Sequence, residues 1–323
     1  MNIPLSEFKN KEELQYPLVS IVMATYNGSK YLTQQIESVI AQSYPNIEII
    51  VIDDGSTDNT LEILYQFKEL YSHINIIKND TNLGYIKNFQ KGCTLATGEY
   101  IALCDQDDYW HADKVKNMQI AIGDYPIIYC DSILCDEKLK PLGQNISDRV
   151  NSIDFNNCLQ QVVFCRIYGH ATLIKNSFLR HAVPFLSVIP HDWWLCYMAT
   201  FYGGIKYLPE PLVSYRQHEG NIFGVVGGKS RKQFKINKVE KRKLELKEIR
   251  IRINAFYNAC PDDLVKEKKV LAKLEKTYQN FSFFNNFQRM ILFFQYKDQF
   301  LASKKRSSIR QFLFCFKMFV KIK

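Results

Sequence analysis

Apolar positions along this chain follow two rhythms. Residues 18–24, LVSIVMA, form an unbroken apolar run, and residues 47–52, IEIIVI, form a second, interrupted by one Glu. Such runs suit strands buried on both faces of a mainly parallel sheet. Between them, Leu32, Ile36, Val39 and Ile40 recur at helical spacing within residues 31–43. LEILYQFKELY is again amphipathic, INIIK at 74–78 reads as a third strand, YIKNFQKGCTLA as a helix and EYIALC as a strand. This alternation predicts an α/β domain with a parallel sheet.

The rhythm changes after about residue 125. IIYCDSILCD reads as a strand leading into a hairpin near Pro141 and Gly143, GHATLI as a short strand and KNSFLRHA as a helical turn. HDWWLCYMATFYG reads as a helix with its Asp near the start, and IKYLPEPLVSYRQH as two short strands broken by prolines. GVVGGKS at 224–230 reads as a linker, and residues 231–323 are helix-like throughout. The expected organisation is an N-terminal segment (1–16), an α/β domain (17–224) and a helical region (225–323).

Composition narrows the class. A chain of 323 residues with 46% hydrophobic content can bury one large core or two smaller ones. It has no membrane-spanning apolar stretch, and MNIPLSEFKNKEELQ lacks a signal-peptide core, so a cytoplasmic protein is expected. Nine cysteines without a CxxC pair argue against a disulfide framework or a zinc site. The net charge of +9 conceals a split: residues 1–224 carry 17 Lys/Arg against 25 Asp/Glu, and residues 225–323 carry 25 against 8. One part is set up for chemistry and the other for an anionic surface.

Candidate chemistry gathers where strands end. LCDQDDYW places Asp105, Asp107 and Asp108 just past the fourth strand. Carboxylates this close repel, and a divalent cation relieves the conflict; oxygen ligands suit Mg²⁺ or Mn²⁺ together with substrate phosphates. A solvated acidic turn is the plainer alternative. ATYNG ends the first strand with Thr25, Tyr26 and Asn27, which offer a hydroxyl, a ring and an amide, or simply a helix N-cap loop. In VIDDGSTDNT, Asp53 and Asp54 can accept from a base or a ribose, while Thr57 or Asp58 can cap the next helix. All three loops would open on one sheet edge, where open α/β sheets bind ligands. Neither GxGxxG nor GxxxxGK[ST] occurs, which argues against a dinucleotide-binding domain and a P-loop NTPase.

LVSIVMATYNGSKYLTQQIESVIAQSYPNIEIIVIDDGSTDNT, NLGYIKNFQKG, TGEYIALCDQDDYW and HDWWL, in that order and spacing, resemble the family 2 glycosyltransferases over residues 17 to about 220. GHATLI, HDWWL and YRQHEGN resemble the rhamnosyltransferase-like subgroup of bacterial surface polysaccharide synthesis. The resemblance implies a GT-A fold and inverting transfer from a UDP- or dTDP-sugar to a glycan or lipid-linked acceptor. It assigns Thr25, Tyr26, Asn27 and Asp54 to the nucleotide. Asp105 and Asp107 become the DxD pair, with Asp107 the preferred metal ligand and Asp105 nearer the ribose or sugar. Asp108 would support them or cap the next turn. Asp192 becomes the general base. Trp193 and Trp194 would stack on a sugar or pack in the core. Arg216, Gln217 and His218 would meet phosphate or metal, or form a structural turn. His170 is expected to be structural rather than acceptor-facing, and His191 carries a weaker expectation still.

Residues 283–323 interleave aromatic residues with cations, as at Phe312, Phe314, Phe316 and Phe319 among Lys317, Lys321 and Lys323. Such helices favour anionic membranes, here the inner face of the plasma membrane. Packing on the catalytic domain or on a second subunit is the alternative, and no nucleic-acid motif accompanies the charge. Two other functions are compatible with the whole: a different nucleotide-sugar enzyme on the same scaffold, or a catalytically silent glycan- or membrane-binding protein.

Overall fold

A computed structural model describes residues 16–221 and 238–320. Nine strands form one mixed sheet: β1 (Val19–Thr25), β2 (Ile47–Asp53), β3 (Ile74–Lys78), β4 (Tyr100–Asp105), β5 (Tyr109–Trp110), β6 (Ile127–Cys135), β7 (Pro141–Asn145), β8 (Thr172–Lys175) and β9 (Ile205–Arg216). Their order is β3-β2-β1-β4-β8-β6-β9-β5, with β7 paired to β6. The first four in this order are parallel, and β8 runs antiparallel to both β4 and β6.

The unbroken apolar runs are explained by a core on each face. Val19, Ile21 and Met23 of β1 join one cluster with Leu32, Ile36 and Val39 of helix Ser29–Ile40. Val22 points the other way, to Phe89 and Cys93 of helix Tyr85–Leu95. Side chains alternate along a strand, so a strand covered on both faces needs apolar residues at every position.

Register then sets the site. Thr25 lies opposite Asp53, and Ala24 opposite Asp105. The carboxyl ends of β1, β2 and β4 therefore stand level, and their loops open on one edge.

Two local readings need correction. IKYLPEPLVSYRQH forms one twelve-residue strand, β9, rather than two. Its register against β6 slips between Leu208 and Val213, so Pro209 and Pro211 fall in irregular pairing where a missing N–H costs little. GHATLI begins as a 3-10 turn at Gly169–Ala171 and becomes strand only at Thr172. The linker read at 224–230 lies outside the described residues. All nine cysteines are free thiols and eight are buried.

Helices Lys238–Ala259, Val265–Thr277, Phe283–Gln295, Lys297–Phe300 and Ser308–Val320 follow. They share the core below helix His191–Ala199. Phe256, fully buried, stacks on Tyr197 at 4.1 Å, and the Tyr197 hydroxyl donates to the Phe256 carbonyl at 2.7 Å. Burying such a ring contributes roughly 1.5–3 kcal/mol. One face of the helical region thus packs on the α/β domain. Among the described residues, no helix is long and apolar enough to cross a membrane.

Candidate active site

A cleft of about 370 Å³ opens at the level strand ends. Thr25, Tyr26, Asp54, Asp105, Asp107 and Asp192 all line it. The structure thus collects residues from separate stretches of chain into one place.

On the side of the cleft formed after β1 and β2, hydrogen bonds tie the loops together. The Thr25 hydroxyl donates to Asp53 Oδ2 at 3.1 Å. The Tyr26 N–H donates to Gln106 Oε1 at 2.8 Å, and Gln106 Nε2 donates back to the Tyr26 carbonyl at 3.1 Å. Gln106 thereby locks the loop after β1 to the turn after β4, leaving the Tyr26 ring free for the cleft. Asp54 accepts from Asn79 Nδ2 at 2.9 Å, the Leu83 N–H at 2.8 Å and the Gly84 N–H at 2.9 Å. Gly84 sits at φ 81°, a conformation that favours glycine. Asn27 departs from its expected role: it is not among the cleft-lining residues, and its Oδ1 accepts the Thr57 N–H at 2.8 Å, latching two loops.

The turn after β4 separates its three carboxylates. Asp105 lies at the cleft, 44% exposed at its side chain, and Asp108 is buried. Asp107 Oδ2 stands 2.9 Å from His218 Nε2. The Gly220 N–H donates to His218 Nδ1, so the proton of a neutral ring sits on Nε2 and points at Asp107. His170 Nδ1 lies 3.3 Å from Asp108 Oδ2 and 3.6 Å from Asp105 Oδ2. Burial pushes the Asp108 carboxyl up to about 8, and Asp107 and Asp105 add to the shift. Burial works against charging His170, but Asp108 and Asp105 outweigh it and raise its pKa. Ligand atoms of Asp105, Asp108 and His170 lie within 4.8 Å of one another. Oxygen and imidazole donors so grouped fit a divalent cation such as Mg²⁺ or Mn²⁺.

Arg216, expected near phosphate, is fully buried beneath this turn instead. Its Nε donates to the Asp107 carbonyl at 2.7 Å, its guanidinium also reaches the Glu137 carbonyl and Gln34 Oε1, and its backbone N–H donates to Asp108 Oδ1 at 3.0 Å. It is a clamp that shapes the turn.

Asp192 stands in the first turn of helix His191–Ala199, where its Oδ1 accepts the Trp193 N–H at 2.7 Å. Burial raises its pKa. Neither tryptophan beside it lines the cleft. The Trp193 indole donates to the Gln161 carbonyl beneath the Arg252 guanidinium, and Trp194 Nε1 donates to the Ala182 carbonyl at 2.8 Å. Both indoles are hydrogen-bonded to backbone carbonyls, which agrees with the core-packing alternative.

His191 carried only a weak expectation from the sequence. It lines the cleft, is 5% exposed, and stacks on Phe89 at 4.3 Å. Neither ring nitrogen has a hydrogen-bond partner among the described residues. Burial lowers its pKa, which keeps the ring neutral. Gly169 permits this approach, because a Cβ there would stand 3.1 Å from His191 Nε2. Tyr168, His170 and Tyr215 complete this side of the cleft.

Acidic turns at level strand ends, facing a helix that starts with a carboxylate, define a group-transfer site of the GT-A kind on an open α/β sheet. The model described as "Glycosyl transferase family 2" matches residues 20–181, and the chain belongs to that family. The chain is 42% identical over 208 residues to "UDP-Glc:alpha-D-GlcNAc-diphosphoundecaprenol beta-1,3-glucosyltransferase WfaP" of Escherichia coli, covering 64% of this chain and 79% of that protein. It is 32% identical to "dTDP-rhamnosyl transferase RfbG" of Shigella flexneri, covering 62% and 73%. Against S. aureus TarS 1-349 in complex with UDP-GlcNAc, the TM-score is 0.57 at 17% identity, covering 94% of this chain and 81% of that one; this likeness bears on the fold. Curated relatives from Haemophilus influenzae and Mycobacterium bovis are matched over 66% and 60% of their own length.

Proposed function

We propose that the protein transfers a sugar, with inversion, from a UDP- or dTDP-sugar to a glycan or lipid-linked acceptor during synthesis of a bacterial surface polysaccharide. The observation that carries this reading is one cleft lined by Asp105 and Asp107 and also by Asp192. The named relatives support both nucleotide classes, one a UDP-Glc enzyme and the other a dTDP-rhamnosyl transferase.

Tyr26 and Asp54 would hold the base and ribose, with Thr25 fixing their loop. Asp107 is the preferred cation ligand, with His218 beside it and Asp105 between cation and sugar; the buried Asp108–His170 pair would hold Asp105 in place. A bound Mg²⁺ or Mn²⁺ would neutralise the diphosphate. Asp192 would take the proton of an acceptor hydroxyl. The acceptor oxygen then bonds to the anomeric carbon, and the bond to phosphate breaks with its electron pair leaving on the nucleoside diphosphate. Backbone N–H groups of Trp193 and Gly169 would orient the carboxylate for that proton. A His191 ring nitrogen, without a hydrogen-bond partner among the described residues, would meet a sugar hydroxyl.

A second placement of the cation, on Asp105, Asp108 and His170, is favoured by the convergence of their ligand atoms. Mn²⁺ titration of Asp107→Ala and His170→Ala separates the two. Loss only in Asp107→Ala supports the first placement, and loss only in His170→Ala the second. Incubation with UDP-glucose, dTDP-rhamnose and GDP-mannose, with Mn²⁺ or EDTA, tests the reaction. Release of UDP or dTDP is expected, and release of no nucleotide from any donor would refute it.

A further inference from the structure

We propose that helices Phe283–Gln295 and Ser308–Val320 together present a face that seats on an anionic lipid bilayer. The proposal stands on surface chemistry and is independent of the transfer reading.

A surface helix ordinarily turns its polar side to solvent. Helix Ser308–Val320 turns an apolar stripe to solvent as well. Its exposed side carries Ile309, Phe312, Leu313, Phe316 and Val320, with Ile309 73% exposed, while Cys315 and Met318 are buried on the other side. Helix Phe283–Gln295 repeats the pattern: Phe284, Phe287 and Ile291 are exposed at i, i+3 and i+7, and Leu292 and Phe293 are buried. The two stripes are joined by ring contacts, Phe283 to Phe319 at 5.2 Å and Phe294 to Phe312 at 5.1 Å. All five exposed phenylalanines among the described residues lie on this helix pair.

Charge selects the occupant. Residues 299–323 carry seven Lys/Arg and no Asp/Glu. Arg310 and Lys317 are exposed on the same helix as the apolar stripe. A second copy docked here would bring like charges together. Anionic headgroups would instead neutralise the cations while the rings enter the headgroup–acyl boundary, as interfacial helices do.

The test is co-sedimentation of the full chain with vesicles of phosphatidylglycerol in phosphatidylcholine, and of phosphatidylcholine alone. Deleting the helices is unsuitable, because Phe293 and Phe300 are fully buried; exposed positions are changed instead. Wild type is expected to pellet with anionic vesicles and much less with neutral ones. Arg310→Gln/Lys317→Gln should lower anionic partitioning about fivefold per charge, and Phe312→Ser/Phe316→Ser roughly tenfold. Wild type that stays in the supernatant, variants that pellet equally, or a dimer in sedimentation velocity that Phe312→Ser/Phe316→Ser dissociates would each overturn the proposal. Donor hydrolysis without vesicles, read on the same preparations, should be unchanged by these substitutions, so membrane binding and transfer fail separately.

Discussion

The cleft holds its carboxylates in two different ways. After β4, each acid has a basic or donor neighbour: Asp107 meets His218, Asp108 meets His170 and the Arg216 N–H, and Asp105 lies near His170. At helix His191–Ala199, Asp192 has only backbone N–H groups, of Trp193 and Gly169, and the His191 imidazole for company. Partnered acids stay in a fixed place, which suits binding of a cation and diphosphate. Burial raises the pKa of Asp108 as well as of Asp192, but Asp192 lines the cleft and Asp108 does not, which would suit Asp192 to proton transfer. On the proposed reading, one cleft would separate holding from chemistry between these two groups of carboxylates.

Breaking the Asp192 side should have the largest effect. Asp192→Asn is expected to lower kcat by about 10²–10⁴-fold, the usual contribution of a general base, while steady-state kinetics and nucleotide titration show affinity within about twofold of wild type. Asp107→Ala should do the opposite, weakening Mn²⁺-dependent nucleotide binding by about tenfold or more; calorimetry reads this directly. His191→Phe keeps the ring stack on Phe89 but removes both nitrogens. Without a nitrogen to meet a sugar hydroxyl, the KM for the donor or acceptor sugar should rise by roughly threefold to tenfold, with binding of the bare nucleotide unchanged. The smallest effect is a shift of pH dependence. As the proposed base, Asp192 would act only when deprotonated, and burial raises its pKa, so kcat should rise with pH through a limb above the ordinary carboxylate range. Adding the nearby Gly169→Ala change, which crowds His191, should move that limb less than it raises KM.

Much of this was legible in the chain, and the rest was hidden for a physical reason. Strands β1 to β4 announce themselves because double-sided burial demands apolar residues throughout. The polar and acidic turns stand out because three of them follow predicted strands and would open on one sheet edge. Which acid is buried could not be read, since the partners come from far away: His170 from 62 positions beyond Asp108, and Arg216 and His218 from more than a hundred. Asn27 looked like a ligand because its latch to Thr57 spans two loops 30 residues apart. The tryptophans could be read as sugar platforms or as core residues because nothing local reveals that the Gln161 and Ala182 carbonyls await their indoles. His191 was overlooked because an unpartnered buried nitrogen is visible only once its surroundings are known.

The most direct test of the division between holding and chemistry is a calorimetric titration of UDP and dTDP with Mn²⁺ into wild type, Asp107→Ala and Asp192→Asn. One of the two nucleotides is expected to bind wild type and Asp192→Asn alike and to bind Asp107→Ala at least about tenfold more weakly. Loss of binding in Asp192→Asn equal to that in Asp107→Ala, or no binding of either nucleotide to wild type, would contradict the account.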